Sequence, residues 1–164
     1  MTRYLRITLT KRHVSCTARL LDDAAPRTCD VVWDALPLAG QAYHGKYARN
    51  EVYTLLPLVG SPGRENSTVT PIPGDVCFFD FPAVEIGNPA YGYDETSEAH
   101  SSRGATDLAI FYGRNNLLLN GDVGWVPGNV FATIEDGLAD MAAACNDLWM
   151  GGAIGEKLAF ERCP

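Results

Sequence analysis

The sequence predicts a mainly β protein: a closed antiparallel barrel of about eight strands capped by two α-helices. Three observations lead there. Runs that alternate apolar and polar residues outnumber runs with helical spacing. Two segments alone carry the helical period, one early and one late. Closing the sheet would remove the exposed edges of so many short strands, and two helices suffice to plug its open ends.

The elements follow in order. In "YLRITLT", residues 4–10, Leu5, Ile7 and Leu9 share one face, which predicts a half-buried strand. In "HVSCTARLL", Val14, Cys16, Ala18 and Leu20 share a face, so the two runs predict an antiparallel pair. The period then changes. Cys29, Val32, Trp33 and Leu36 stand at i, i+3, i+4, i+7, one apolar face of a short helix. Pro26 fits its first turn, where a missing N–H costs nothing. Asp22 and Asp23 lie near the positive end of its dipole, and Pro37 and Gly40 stop it. Strand signals return at "EVYTLLPL", "GDVCFFDF", "TDLAIFYG", "NLLLN" and "NVFATI". Residues 82–105, rich in Gly, Pro, Ser and acids, predict a long surface loop. A second helix is expected from near Glu135-Asp136, with Leu138, Met141, Cys145 and Leu148 in register, to Gly151-Gly152. "EKLAFERC" closes the chain as a strand.

With 164 residues and 46% hydrophobic content, the chain suits one globular domain with a real core. Its formal charge of −7 argues against nucleic acid or an anionic membrane as partner, since phosphate binding needs concentrated basic surface. No apolar run approaches the roughly 20 residues that span a bilayer. The first residues lack the apolar core of a signal peptide, and five scattered cysteines without CxxC spacing predict free thiols. Together these predict a cytoplasmic protein. No HExxH, HxH, nucleotide loop or G-x-S-x-G elbow is present, so neither a metal nor a cofactor is expected. "YDETSEAH" is acidic but lacks the spacing of a calcium loop.

Several stretches resemble cyclophilins. "VSCTARLLDDAAPRTCDVVWDALPLAG" is similar to their opening strand, acidic turn and capping helix; "NVFATIEDGLADM" and "EKLAFERC" are similar to a later strand–helix unit and the closing strand. "LPLAGQAYHGKYARNEVYTLLP", "ENSTVTPIPGDVCFFD" and "DLAIFYGR" resemble an uncharacterised bacterial subfamily of that barrel, catalogued as a domain of unknown function. The resemblance implies a single cyclophilin-like domain over 1–164. It also implies loss of prolyl isomerase residues. The isomerase arginine, which stands before an aliphatic pair and a proline, falls on Thr54, ahead of Leu55, Leu56 and Pro57. A pocket phenylalanine falls on Ala109, and the late histidine near Gly128 or Asn129. A hydroxyl cannot replace a guanidinium fork.

What remains are aromatic and polar groups. Glu51 opens a strand and Glu65 precedes a turn, so in a closed barrel both can reach one mouth; a desolvated carboxylate there can act as a base. The plainer reading makes Glu51 a strand-edge charge and Glu65-Asn66 a source of turn hydrogen bonds. The leading expectation is a barrel-side groove for a small polar ligand or short peptide. Tyr53, Tyr112, Trp125 and Asn129 would line it, with Arg49, Glu51 and Asn66 as polar anchors. Alternatives are an enzyme acting on an amide-like substrate with Glu51 as general base, an accessory subunit of an amide hydrolase, or a residual isomerase. A homo-oligomer stays open.

Overall fold

A computed structural model describes residues 2–83 and 86–164. Eight strands form the barrel: β1 (Tyr4–Leu9), β2 (Val14–Leu20), β3 (Leu38–His44), β4 (Glu51–Pro57), β6 (Asp75–Phe81), β7 (Ala105–Phe111), β10 (Gly128–Asp136) and β11 (Lys157–Arg162). They pair antiparallel in the order β2-β1-β11-β3-β4-β7-β6-β10, and β10 returns to β2 to close the sheet. The two-residue β5 (Ser67–Thr68) adds to β10, and β8 (Leu119–Asn120) pairs with β9 (Gly124–Trp125) as a separate ribbon. Helices α1 (Pro26–Ala35) and α2 (Leu138–Gly151) pack against the barrel.

The alternation read from the sequence determines the interior. Leu5, Ile7 and Leu9, then Cys16, Ala18 and Leu20, turn inward and are buried. Val52, Leu56, Phe78, Leu108, Ile110 and Phe160 join them, and Cys29, Val32, Met141 and Leu148 plug the ends from the helices. Phe131 is completely buried at a bulge in β10. All five cysteines are free, and four are buried; burial pushes the Cys16 and Cys29 thiols up to about 12, which makes them core residues without nucleophilic character.

Three boundaries differ from expectation. Glu135 and Asp136 complete β10, and α2 begins only at Leu138 after Gly137 takes a positive φ of 78°. An added Cβ on Gly137 would crowd the Ser15 carbonyl oxygen at 3.0 Å, so this close approach needs glycine. "NLLLN" contributes just Leu119–Asn120 to a strand. Of the loop expected at 82–105, residues 84 and 85 lie outside the described residues; the rest holds two short 3₁₀ turns, Pro89–Tyr91 and Glu98–His100, before β7 starts at Ala105.

β7 is buried along its whole length. Thr106, Leu108 and Ile110 face the barrel interior. Asp107, Ala109 and Phe111 face outward, yet are covered too. A second apolar cluster lies over that outer face, built on Cys77, Phe79, Ala109, Phe111 and Val130 and roofed by Ala48 and Leu118. The candidate site is cut into this second layer.

A pocket with two buried carboxyl groups

Strand parity assembles the floor. In the β4–β7 ladder Glu51 lies opposite Phe111, Tyr53 opposite Ala109, and Leu55 opposite Asp107. Directly opposed residues of an antiparallel pair point to the same side, so Glu51, Tyr53, Leu55 and Asp107 share the outer face. β6 adds Phe79 opposite Asp107, and Phe81 two residues on. Over this floor stand two covering segments, one from Ile86 to Tyr93 and one from Leu117 to Val126. Together they enclose a cavity of about 120 Å³. A dry cavity of about 150 Å³ holds a benzene ring, so this one suits a compact ring with an outward extension.

Side-chain hydrogen bonds pin both covers. Asn116, almost fully buried, donates to the carbonyls of Pro71 (2.9 Å) and Gly113 (2.8 Å) and accepts from the Asn50 amide (3.1 Å). In the other cover, Tyr93 bonds hydroxyl to hydroxyl with Tyr53 on the floor. The Tyr91 hydroxyl donates to Asp122 Oδ2 at 2.9 Å, and Lys46 Nζ donates to the Tyr91 carbonyl at 2.9 Å. Tyr43 packs edge-on against Tyr93 with ring centres 5.2 Å apart, extending the aromatic wall.

The walls are apolar, which gives the two acids their character. Glu51 is 8% exposed and Asp107 6%. Neither belongs to an ion pair among the described residues. Asp107 Oδ1 is buried with no hydrogen-bond partner. Desolvation penalises the charged form and pushes the Glu51 carboxyl up to about 8. Asp107 is raised well above the usual carboxylate range, first by burial and then by the charge of Glu51. Gly45 packs directly against Glu51: a Cβ there would collide with Oε2 and sit 3.1 Å from the Glu51 Cβ.

The residues singled out from the sequence divide among different places. Glu51 and Tyr53 line the pocket. Trp125 and Asn129 border a neighbouring hollow of about 260 Å³, separated from the first by Phe79, Phe81 and Val126. Trp125 is 59% exposed. The Asn129 amide is spent on framework: it accepts from the Glu65 amide and Ser67 Oγ and donates to Thr28 Oγ1 and the Gly63 carbonyl. Asn66 donates to the Val130 carbonyl at 2.8 Å. Tyr112 lies 2.6 Å from His44 Nε2 and packs on the main core. Arg49 is exposed and donates to the Asn115 carbonyl. Glu65 does not reach the mouth beside Glu51; its carboxylate accepts from the Thr28 amide (2.8 Å) and hydroxyl (2.9 Å) and so caps α1 from a distance.

Thr54 pairs with Ala42 and Leu108 and faces the barrel interior. No side chain at that position points into the outer pocket, because parity sends 53 and 55 there instead. Asp107, Tyr91 and Tyr93 were not singled out. Asp107 did carry a signal, as the single charge in the run "ATDLAIF". The tyrosines carried none, since nothing local shows which part of a long segment folds back.

Comparison with known proteins adds the following. The sequence model of a family described as "Protein of unknown function (DUF3830)" matches residues 7–160. No curated protein matches. Among solved structures, one described as McbB in complex with tryptophan is similar with a TM-score of 0.63 and 16% identity, over 96% of this chain and 44% of that one. This chain therefore spans less than half of that protein. The solution structure of the hypothetical protein AF2241 from Archaeoglobus fulgidus is similar with a TM-score of 0.53 and 20% identity, over 99% and 95% of the two chains. Both likenesses concern the fold and fit a cyclophilin-like barrel. Among the described residues no helix is long and apolar enough to cross a membrane.

Proposed function

Because the chain belongs to the DUF3830 family, whose function is unknown, its activity has to be read from its own pocket, and we propose that it binds a small molecule there. The ligand is compact, mostly apolar, and carries a polar group that meets the buried acids. One observation carries this reading: Asp107, which lines a mostly apolar and aromatic cavity, keeps its buried Oδ1 without a partner from the protein. An orphaned buried acceptor costs about 1–3 kcal/mol, and a ligand donor in the cavity would offset that cost. The tryptophan in the McbB complex, a ring with a polar tail, is a molecule of that general shape.

A thermal-shift and NMR screen of small aromatic compounds tests the reading. Binders should shift the resonances of Tyr53, Tyr93 and Leu118. Val123→Trp, placed at the half-exposed rim, should block them without disturbing the barrel. Ligands that bind equally well to Val123→Trp and perturb only the hollow at Trp125 would refute the assignment.

A second reading has its own support. A carboxyl pushed up to about 8 at a cavity wall suits proton transfer near neutral pH. Glu51 would then remove a proton from the bound molecule. A reaction lost in Glu51→Gln, with ligand affinity retained, would distinguish catalysis from binding alone.

A further inference from the structure

Resting on that binding pocket, we propose that its ligand carries a protonated amino group, held between Glu51 and Asp107 with its apolar part against the tyrosine wall. The pair lacks a counter-charge. The ion pairs among the described residues engage Asp22, Asp30, Glu65, Glu135, Asp147 and Glu156, not these two. Lys46, the cation on the pocket's rim, donates to the Tyr91 carbonyl and pairs with neither acid.

Geometry and charge favour an ammonium over other polar groups. It brings three donors that need not lie in one plane, so it can meet more than one acceptor of a cavity that both Glu51 and Asp107 line. An amide N–H offers at most two, in one plane. A carboxylate ligand would have to sit beside two buried acids, with Lys46 at the rim as the one lining cation, against a net charge of −7. Tyr53, Tyr91 and Tyr93 supply ring faces and edges around the cavity, and ring faces attract cations.

Binding would then be linked to protons. The groups that face the pair are Tyr53 on β4, Cys77 on β6, Tyr91 and Tyr93 from one cover and Lys46 at the rim; Asp75, further along β6, is engaged by the Ile72 amide. Burial raises the proton affinity of Tyr53, Tyr91, Tyr93 and Cys77 as well, which keeps these four neutral while the two acids titrate. Burial raises the proton affinity of both acids, Glu51 to about 8, so the free pocket holds carboxyl protons that the same groups in water would have lost. An incoming ammonium exchanges for at least one of those protons, which leaves to solvent while the carboxylate and ammonium remain as an ion pair.

Isothermal titration with benzylamine, benzyl alcohol and benzamide, in phosphate and in Tris at pH 6, 7 and 8, tests this. Benzylamine should bind at least tenfold tighter than either neutral probe at pH 8. Between pH 6 and 7 it should release about one proton and gain close to tenfold in affinity, with both effects shrinking as pH approaches 8. Glu51→Gln and Asp107→Asn, checked for folding by circular dichroism, should each reduce that preference and flatten the pH dependence. Neutral probes binding as tightly as benzylamine, without proton release, would overturn the amine and leave the pocket standing. Binding of none of the three would overturn both.

Discussion

Glu51 and Asp107 stand on neighbouring strands, four residues out of direct register, and both turn to the covered outer face of the barrel. The charge of Glu51 adds to burial in raising the proton affinity of Asp107. Two acids share one apolar layer, and neither belongs to an ion pair among the described residues; the first two expectations follow from that.

The first expectation concerns pH and stability. Burial pushes the Glu51 carboxyl up to about 8 in the folded protein, against its ordinary 4.5 when unfolded. Between those values the folded state holds more protons than the unfolded one, so stability falls as pH rises through that window. Glu51→Gln removes the penalty. Urea unfolding should show the variant gaining on the parent by up to about 1.4 kcal/mol per pH unit from pH 5 to 7.5, with no gain at pH 4. A pH-independent difference would refute the buried, unpaired state.

Gly45 and Glu51 should be coupled. Gly45→Ala forces a methyl into the Glu51 side chain and should destabilise by about 1–3 kcal/mol, as overpacking does. In a Glu51→Ala background the same change should cost much less. A double-mutant cycle with an interaction energy near zero would show that the contact does not form.

The cover over the pocket should loosen before the barrel does. Tyr93→Phe deletes the hydroxyl bond to Tyr53, a loss of about 1 kcal/mol. Hydrogen exchange should speed up across residues 86–93 while the β4 and β7 amides keep their protection. Uniform acceleration everywhere would mean that the cover is not a separate unit.

Helix α1 has no side-chain cap of its own, because Ala25 occupies that position. Glu65 supplies one through Thr28. Glu65→Ala should therefore cost about 1–2 kcal/mol, the range for losing a cap. Phe131→Ala, deep in the core, should cost about 3–5 kcal/mol in the same denaturation assay.

Much of the fold was legible because its elements are written in local periods. The first two strands, the Cys29–Val32 helix face and the closing strand appear where the alternation and the i, i+3, i+4 spacing placed them. Glu51 and Tyr53 were legible as a pair for the same reason: two residues apart on one strand, they must share a face. Tyr112, Asn66 and Asn129 show where that logic stops. Tyrosine and asparagine look alike in sequence whether they line a cavity or satisfy the framework, and here their hydrogen bonds go to His44, Val130 and the α1 cap.

By itself, then, the sequence determined the mainly β class, the two helical plugs and the parity of the clearly alternating strands, since these depend on residues a few positions apart; β3, which follows α1 without a clear alternation, was not legible as a strand. The tertiary structure alone decided which face became a pocket. The pairing of β4 with β7 joins residues 48 to 60 positions apart, and the cover brings Tyr93 onto Tyr53 across forty. The proton affinity of Glu51 and Asp107 is set by the apolar surroundings those distant segments create, and no short stretch of chain contains them.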